Sequence, residues 1–280
     1  MFIATVVAAK SLTEQVLLRA LAAARLETVE AGKVFRLWFD GDPRAARRAL
    51  ERLEADVFVR AAEAPFPRLF VADMDSTMIT VECIDELADY AGVKLQVAEI
   101  TERAMRGELD FEAALRARVK LLAGLDAGVL GRCYEERVRI MPGAETLVRT
   151  LKARGCRTVL VSGGFTLFAD RVADEIGFDA AYANLLGMSG GRLDGTVVEP
   201  ILGAEAKLRT LEAQAQGLNQ AATVAVGDGA NDIMMIRAAG LGVAYHGKPA
   251  VVAAADAAVR YGDLTAVLHG LKVPREEWAA

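Results

Sequence analysis

The sequence predicts an α/β fold in which a mainly parallel sheet is flanked by helices. After about residue 153, short apolar β-branched segments alternate with helical segments, which is the pattern of consecutive βαβ units. Two apolar segments, 69–72 and 223–226, are each followed directly by acidic residues. Because the carboxyl ends of parallel strands meet at one edge of a sheet, we expect both acidic groups to lie in one site.

The first 66 residues predict a separate α+β module. Apolar and amphipathic segments there indicate a β-α-β-β-α-β order. The segment Ala64-Pro65-Phe66-Pro67 predicts a linker, because two prolines continue neither a helix nor a central strand. The segments of this module are a strand at 2–8, a helix at 12–25, an extended stretch at 28–39, a helix at 43–53 and a strand at 56–61.

The next segment, residues 80–152, predicts a helical insertion. Its pattern is dominated by Leu, Ala, Glu and Arg and is interrupted by glycines. We therefore expect three units: an N-terminal module at 1–66, a catalytic core at 67–79 and 153–280, and the insertion at 80–152. Within the core, strands are expected at 158–161, 180–183, 223–226 and 241–244, helices at 167–175, 206–215 and 233–238, and a hairpin around Gly190–Gly195.

Composition excludes several classes of function. The chain has 280 residues, 53% of them hydrophobic, and a net charge of −5. It has no long Lys/Arg run, so nucleic acid is not an expected partner. The three cysteines form no C-x-x-C pair. The apolar N-terminal segment ends at Lys10, so it is too short to span a membrane. We expect a cytoplasmic protein without a membrane partner.

The strongest chemical signal is Asp73-Met74-Asp75-Ser76-Thr77 combined with Gly227-Asp228-Gly229-Ala230-Asn231-Asp232. One carboxylate of an Asp-x-Asp pair can attack phosphorus while the other transfers protons. On its own, Asp-x-Asp is more often a turn or a helix N-cap. The second acidic cluster reverses that preference, because several carboxylates packed together need Mg²⁺ or a cationic side chain.

Two further features fit a phosphate site. Ser162-Gly163-Gly164 follows the strand at 158–161, so a hydroxyl and backbone N–H groups could hold phosphate oxygens. Lys207 follows a break at Gly203 and could place a positive charge over the attacking carboxylate. Taken singly, the first is more often an ordinary strand-to-helix turn and the second a solvated lysine.

In this order, the motifs resemble the haloacid dehalogenase-like (HAD) phosphatases, and among them the phosphoserine phosphatase family, over roughly residues 67–270. The resemblance implies a Rossmann-like core, a helical cap and an ACT-like (ferredoxin-like) N-terminal module. It implies that Asp73 is the nucleophile and a metal ligand. It also implies that Asp75 is the general acid/base and a metal ligand through its carbonyl, and that Asp228 is the third metal ligand. Asp232 and Asn231 would support a metal-bound water and the phosphate group.

The same resemblance assigns substrate contacts. Arg118 would pair with a substrate carboxylate, and Glu82 would accept from its ammonium group. Met105 and Phe111 would line the apolar side, and Ser162, Gly163 and Asn231 the phosphate side. The simpler alternatives are a helix-start role for Glu82, a solvated Arg118, and core packing for Met105 and Phe111.

We therefore expect a Mg²⁺-dependent phosphoserine phosphatase that completes serine biosynthesis through an aspartyl-phosphate, with a small phosphate ester as its partner and a homodimer as its candidate assembly. One alternative is a phosphotransferase, or a phosphatase for another small ester. A second is an amino-acid-sensing regulatory protein, which the N-terminal module suggests. With only two histidines in the chain, a Ser/His/Asp hydrolase is not supported.

Overall fold

A computed structural model describes residues 1–106 and 108–279, without the side chain of Met105. Within this range the chain forms eleven strands and twelve α-helices. The strands are β1 (Phe2–Ala8), β2 (Arg25–Glu30), β3 (Val34–Phe39), β4 (Ala55–Ala61), β5 (Leu69–Ala72), β6 (Arg157–Phe165), β7 (Ala180–Ser189), β8 (Arg192–Val198), β9 (Thr223–Gly227), β10 (Leu241–Tyr245) and β11 (Ala257–Val259). The helices are α1 (Glu14–Ala20), α2 (Pro43–Leu50), α3 (Cys83–Tyr90), α4 (Lys94–Met105), α5 (Phe111–Lys120), α6 (Gly128–Arg137), α7 (Ala144–Ala153), α8 (Thr166–Ile176), α9 (Ala204–Gln214), α10 (Ile233–Ala238), α11 (Pro249–Ala254) and α12 (Ala266–Gly270).

The N-terminal module has the predicted ferredoxin-like order, with four antiparallel strands arranged β2-β3-β1-β4. The predicted helix at 12–25 is too long, because α1 ends at Ala20 and Arg25 already belongs to β2. Arg25 pairs with Trp38 across the two strands, and its guanidinium lies 4.3 Å from the Trp38 ring centroid. This cross-strand contact outweighs the helical pattern of the local sequence.

The core contains the predicted parallel sheet with helices on both faces. The strands β11, β10, β9, β5, β6 and β7 lie side by side and pair in parallel. Along β5, Phe70 packs into one hydrophobic cluster while Leu69 and Val71 pack into another. This alternation is expected for a strand that is buried on both faces. The β7–β8 hairpin is also confirmed, with Gly190 and Gly191 in its turn at positive φ.

The module and the core share one continuous eleven-stranded sheet. Val57 of β4 pairs with Ala258 of β11 in antiparallel register. The buried carboxylate of Asp56 accepts hydrogen bonds from the backbone N–H groups of Arg260, Tyr261 and Gly262 at 2.6, 3.1 and 2.8 Å. The proline-containing linker therefore connects two units that also contact each other through backbone hydrogen bonds.

The helical insertion leaves and re-enters the core at one point. Ile79 bridges Ile140, and the Met141 N–H donates to the Met78 carbonyl at 2.9 Å. Helix α7 lies beyond this point and packs against β6 and α8. The domain limits remain a prediction, and we propose that the cap ends near Ile140 rather than at residue 152.

No helix in the described ranges combines the length and apolar character needed to cross a membrane.

Candidate active site

The two acidic motifs meet at one edge of the sheet. Strand β5 lies between β6 and β9, with Ala72 in register with Leu160 and Val226. Asp73 directly follows β5, and its backbone N–H donates to the Val226 carbonyl at 3.0 Å. The residues that follow all three strands therefore converge at their carboxyl ends.

Lys207 connects the two acidic motifs. It lies in the first turn of α9, and its side chain is fully buried. Its Nζ is 2.5 Å from Asp73 Oδ1 and 2.7 Å from Asp232 Oδ1. Burial alone would lower the pKa of Lys207, but the two carboxylates outweigh that effect and raise it. The structure thus rejects the solvated-lysine alternative.

Asp232 has both of its carboxylate oxygens engaged. Oδ1 accepts from Lys207, and Oδ2 accepts from the Gly229 N–H at 3.0 Å. The side chain is fully buried. A carboxylate with both oxygens occupied is suited to hold Lys207 and the Gly229 backbone in place, and its expected support of a metal-bound water stays a prediction.

The donor set fits a hard divalent cation. Carboxylate oxygens of Asp73, Asp228 and Asp232 all lie within 4.8 Å of one another. Thr77 donates to Asp228 Oδ1 at 3.3 Å, and Oδ1 of Asp75 is a buried oxygen without a hydrogen-bond partner in the described chain. Oxygen ligands of this kind bind Mg²⁺, Mn²⁺ and Ca²⁺. The predicted Asp75 carbonyl contact stays a prediction.

The crowded carboxylates have altered proton affinities. Burial and the charge of Asp232 raise the pKa of Asp73 well above its ordinary range, against the opposing effect of Lys207. Burial and the nearby Glu82 raise the pKa of Asp75 to about 7. Burial and Asp232 raise the pKa of Asp228 to about 6. A bound cation would relieve this mutual repulsion.

A further wall of the site is formed by Ser162, Gly163 and Gly164. They lie in β6, where the register with β7 shifts between Val161 and Phe165, and α8 begins only at Thr166. The buried hydroxyl of Ser162 accepts from the Gly164 N–H at 2.8 Å. If Gly164 carried a side chain, its Cβ would lie only 3.0 Å from Asp75 Oδ2. This segment of β6 therefore closely approaches the acid/base candidate.

Phe111 and Asn231 border the same loop. A Cβ at Gly163 would lie 3.0 Å from the Phe111 ring and 3.8 Å from Asn231 Nδ2. Phe111 is the first residue of α5, so a cap residue lies directly against the core at this point. This contact brings the cap over the acidic cluster.

The predicted substrate pair lies beside the acidic motif. Glu82 is the N-cap residue of α3 but makes no capping hydrogen bond; it accepts from the Ser76 hydroxyl at 2.8 Å. Arg118 is half-buried, and burial lowers the pKa of its guanidinium, although the charges of Asp85, Glu82 and Asp75 partly offset this effect. It forms no ion pair with any described residue, and its Nε donates to the Ala114 carbonyl at 3.3 Å. Met105, the remaining predicted contact, has a side chain outside the described residues.

Two residues near the site were given no role from sequence. Thr77 contacts Asp228, and Cys83 hydrogen bonds to Asp75 and lowers its pKa. Thr77 lies within the motif that marks the site, so its position was a usable signal. Nothing in the spacing of Cys83 distinguishes it from a small buried hydrophobic residue.

Comparisons with known proteins agree with this geometry. Residues 67–240 match the family model described as haloacid dehalogenase-like hydrolase. A phosphoserine phosphatase from Streptomyces coelicolor is 50% identical over 212 residues, which are 75% of this chain and 52% of that protein. The chain thus spans about half the length of this curated relative.

Solved structures extend the similarity to the whole fold. A probable phosphoserine phosphatase from Vibrio cholerae superposes with a TM-score of 0.79 at 38% identity, covering 99% of this chain and 87% of that one. A phospho-aspartyl intermediate analogue of phosphoserine phosphatase gives a TM-score of 0.68 at 40% identity, covering 73% and 98%. The chain therefore belongs to the haloacid dehalogenase-like hydrolases and, within them, to the phosphoserine phosphatase family.

Proposed function

We propose that this chain hydrolyses O-phospho-L-serine to L-serine and phosphate through an aspartyl-phosphate on Asp73. The observation that carries the proposal is the buried Lys207, which holds Oδ1 of Asp73 and also binds Asp232. Among the described residues no donor contacts Oδ2 of Asp73, so this oxygen is available as the nucleophile.

In the first step, Asp73 attacks phosphorus and the bond from phosphorus to the serine oxygen breaks. Asp75, whose pKa of about 7 leaves a substantial protonated fraction near neutral pH, gives a proton to the departing oxygen. In the second step, Asp75 takes a proton from water as that water attacks the aspartyl-phosphate. Phosphate leaves, and the carboxylate of Asp73 is restored.

The surrounding groups stabilise charge on the transferring phosphoryl group. Lys207 supplies a buried positive charge next to the nucleophile. Ser162 and the backbone around Gly163 lie close to the start of α9, where the Asn184 side chain donates to the carbonyls of both Gly163 and Leu202, and they can donate to phosphate oxygens. Donors that are fixed before reaction lower the barrier without reorganising during it.

The metal is proposed to be Mg²⁺, held by the carboxylates of Asp73 and Asp228 and the carbonyl of Asp75, with Asp232 outside the ligand set. A bound Mg²⁺ would neutralise phosphate charge. Support comes from the all-oxygen donor set and from the carboxylate oxygens of Asp73 and Asp228, which lie within 4.8 Å of each other.

Substrate choice is proposed to depend on Arg118 and Glu82. The half-buried, unpaired guanidinium of Arg118 can bind the substrate carboxylate bidentately, and Glu82 can accept from the substrate ammonium group. Phe111 would border the apolar side of the substrate. A zwitterion satisfies both charges, whereas a simple phosphate ester leaves both unpaired.

The decisive experiment measures phosphate release from L-phosphoserine with Mg²⁺ for the wild type and for Asp73→Asn. The variant should lose activity by about 10³-fold or more, because it lacks the nucleophile. Arg132→Gln, at an exposed arginine of α6, is the matched control and should keep wild-type activity. Turnover by a clean preparation of Asp73→Asn at the wild-type rate would refute the mechanism.

Specificity is tested separately. Arg118→Lys should lower kcat/KM for phosphoserine by about 10- to 100-fold, because a lysine cannot form the bidentate pair. It should leave turnover of a simple aryl phosphate nearly unchanged. Arg132→Lys is the control. Equal losses on both substrates would remove Arg118 from substrate recognition while leaving the phosphatase assignment intact.

A cytoplasmic location is also proposed, since the three cysteines of the chain, Cys83, Cys133 and Cys156, are buried free thiols. The homodimer stays a prediction that light scattering can test.

A further inference from the structure

A large cavity separates the N-terminal module from the core. Its volume is about 890 Å³. One wall comes from α2 and the end of β4, and the other from α10, the start of β10 and the end of α11. Ala221 and Gly240, which precede β9 and β10, line it. The cavity therefore lies at the edge of the sheet opposite the acidic cluster. A ligand that binds there would not contact the proposed catalytic residues.

The charge of this cavity is opposite to that of the whole chain. The protein carries a net charge of −5, whereas the cavity is lined by six arginines and only two acidic residues. These charged residues are Arg44, Arg47, Arg48, Arg60, Arg237, Arg260, Glu51 and Asp256.

The acidic residues are already engaged. Glu51 is 2.8 Å from Arg47 and 3.3 Å from Arg260. Asp256 accepts from a backbone N–H at 2.9 Å. Four lining arginines make no ion pair within the part of the chain that the structure describes. Of these, Arg60 donates to the Pro65 carbonyl at 3.0 Å, whereas the guanidinium groups of Arg44, Arg48 and Arg237 make neither an ion pair nor a hydrogen bond to any described residue.

Helix α2 carries an electrostatically unfavourable arrangement. Arg44, Arg47 and Arg48 occupy positions i, i+3 and i+4, so they lie on one face, and no acidic residue occupies the first turn. Like charges at these spacings repel each other, and a cation near a helix N-terminus opposes the helix dipole. A bound polyanion would offset these costs.

We infer that the cavity binds a ligand with a phosphate chain and an uncharged ring body, the chemistry of a nucleoside triphosphate. Three unpaired guanidinium groups match at least three negative charges, and their planar forks suit phosphate oxygens. The ring body would lie on the apolar part of the wall, formed by Phe2, Val59, Leu241 and Val252. The volume is within the usual range for small-ligand sites.

Calorimetric titrations with ATP, tripolyphosphate and adenosine test this inference. They use the full chain in EDTA at fixed ionic strength, so that no metal is present to bind nucleotide at the acidic cluster. ATP should bind the wild type at least 10-fold more tightly than tripolyphosphate or adenosine. Arg44→Gln/Arg48→Gln/Arg237→Gln should lose at least 30-fold in ATP affinity, whereas Arg132→Gln should bind like the wild type.

Thermal denaturation gives a second readout. Without ligand, the triple variant should melt at or above the wild-type temperature because like-charge repulsion is removed, and it should retain phosphoserine turnover. ATP should raise the melting temperature of the wild type and of Arg132→Gln only. Absence of ATP binding, or equal affinity in the triple variant, would overturn the site. Equal binding of tripolyphosphate and ATP would overturn the nucleoside assignment, and a lower melting temperature without ligand would show that these arginines are structural.

Discussion

At the scale of single residues, Lys207 has the largest difference between its local pattern and its final environment. Its position in a helix with acidic and polar neighbours is typical of a solvated lysine. In the fold it is fully buried between Asp73 and Asp232. A buried charge with two opposite partners is stabilised only while both partners remain.

Lys207→Met should therefore lower the free energy of unfolding by about 3–5 kcal/mol in metal-free buffer, because it leaves Asp73 and Asp232 buried without a cation. Added Mg²⁺ should recover part of this loss by binding the folded state. Urea denaturation with and without Mg²⁺ measures both effects. Lys120→Met, at an exposed lysine of α5, is the control. A loss no larger than that of Lys120→Met would contradict the prediction.

A second residue, His269, predicts a pH effect on stability. It is buried against Trp278, with ring centroids 4.9 Å apart, and burial lowers its pKa, although Glu30 partly opposes this effect. The unfolded chain then takes up a proton at a higher pH than the folded protein. The contribution of His269 to stability is intact above its ordinary pKa of 6.5 and is lost as the pH falls from that value through the lower pKa of the folded protein.

The free energy of unfolding should accordingly fall less steeply between pH 7 and pH 5.5 in His269→Gln than in the wild type. The difference in slope isolates the titration from any loss of packing against Trp278. Denaturant titrations at several pH values provide the measurement. His246→Gln, at the exposed second histidine, is the control for removal of an imidazole from the chain. Parallel profiles for wild type and His269→Gln would refute the assignment.

At the scale of elements, the contact between the cap helix α5 and the start of α9 is the feature that encloses the site. Phe111 lies against Gly203 as well as Gly163. A Cβ at Gly203 would lie 3.0 Å from Phe111 Cδ1, and the φ of Gly203 is −115°. An alanine is therefore allowed by the backbone there and opposed only by the cap.

Gly203→Ala should lower kcat/KM for phosphoserine about 3- to 10-fold by displacing Phe111. Combined with Phe111→Leu, the loss should be smaller than the sum of the single losses, with a coupling of about 1 kcal/mol. Gly131→Ala in α6 meets no other atom within 4 Å and is the control, with unchanged activity. Strict additivity in this cycle would show that the two residues do not meet during turnover.

At the scale of the whole molecule, the sheet that joins the module to the core is the dominant feature. The β4–β11 pairing is short, and the buried Asp56 reinforces it by accepting three backbone hydrogen bonds beyond β11. The module is consequently part of the same folded layer as the core.

Asp56→Ala should lower the free energy of unfolding by about 3–5 kcal/mol, since three backbone N–H groups lose a buried carboxylate acceptor. Asp42→Ala is the matched comparison, because Asp42 caps α2 through one N–H at 2.9 Å and its loss should cost about 1 kcal/mol. Urea denaturation of both variants gives the comparison. Equal losses would show that the junction adds little to stability.

The sequence by itself determined the order of the strands from β1 to β10, the parallel core and the two acidic motifs. These depend on local periodicity and on the rule that carboxyl ends of parallel strands share an edge. The sequence did not predict β11, α11 or α12. The predicted end of the first helix was wrong, because the contact between Arg25 and Trp38 is made across strands that are separated in sequence.

Only the tertiary structure decided the burial of Lys207, the continuity of the sheet through Val57 and Ala258, and the arginine-lined cavity between module and core. Each depends on residues far apart in the chain, whose proximity no local pattern encodes. Burial also sets the energy of a charge, so an identical Lys or Arg is a solvated side chain in one place and part of a site in another.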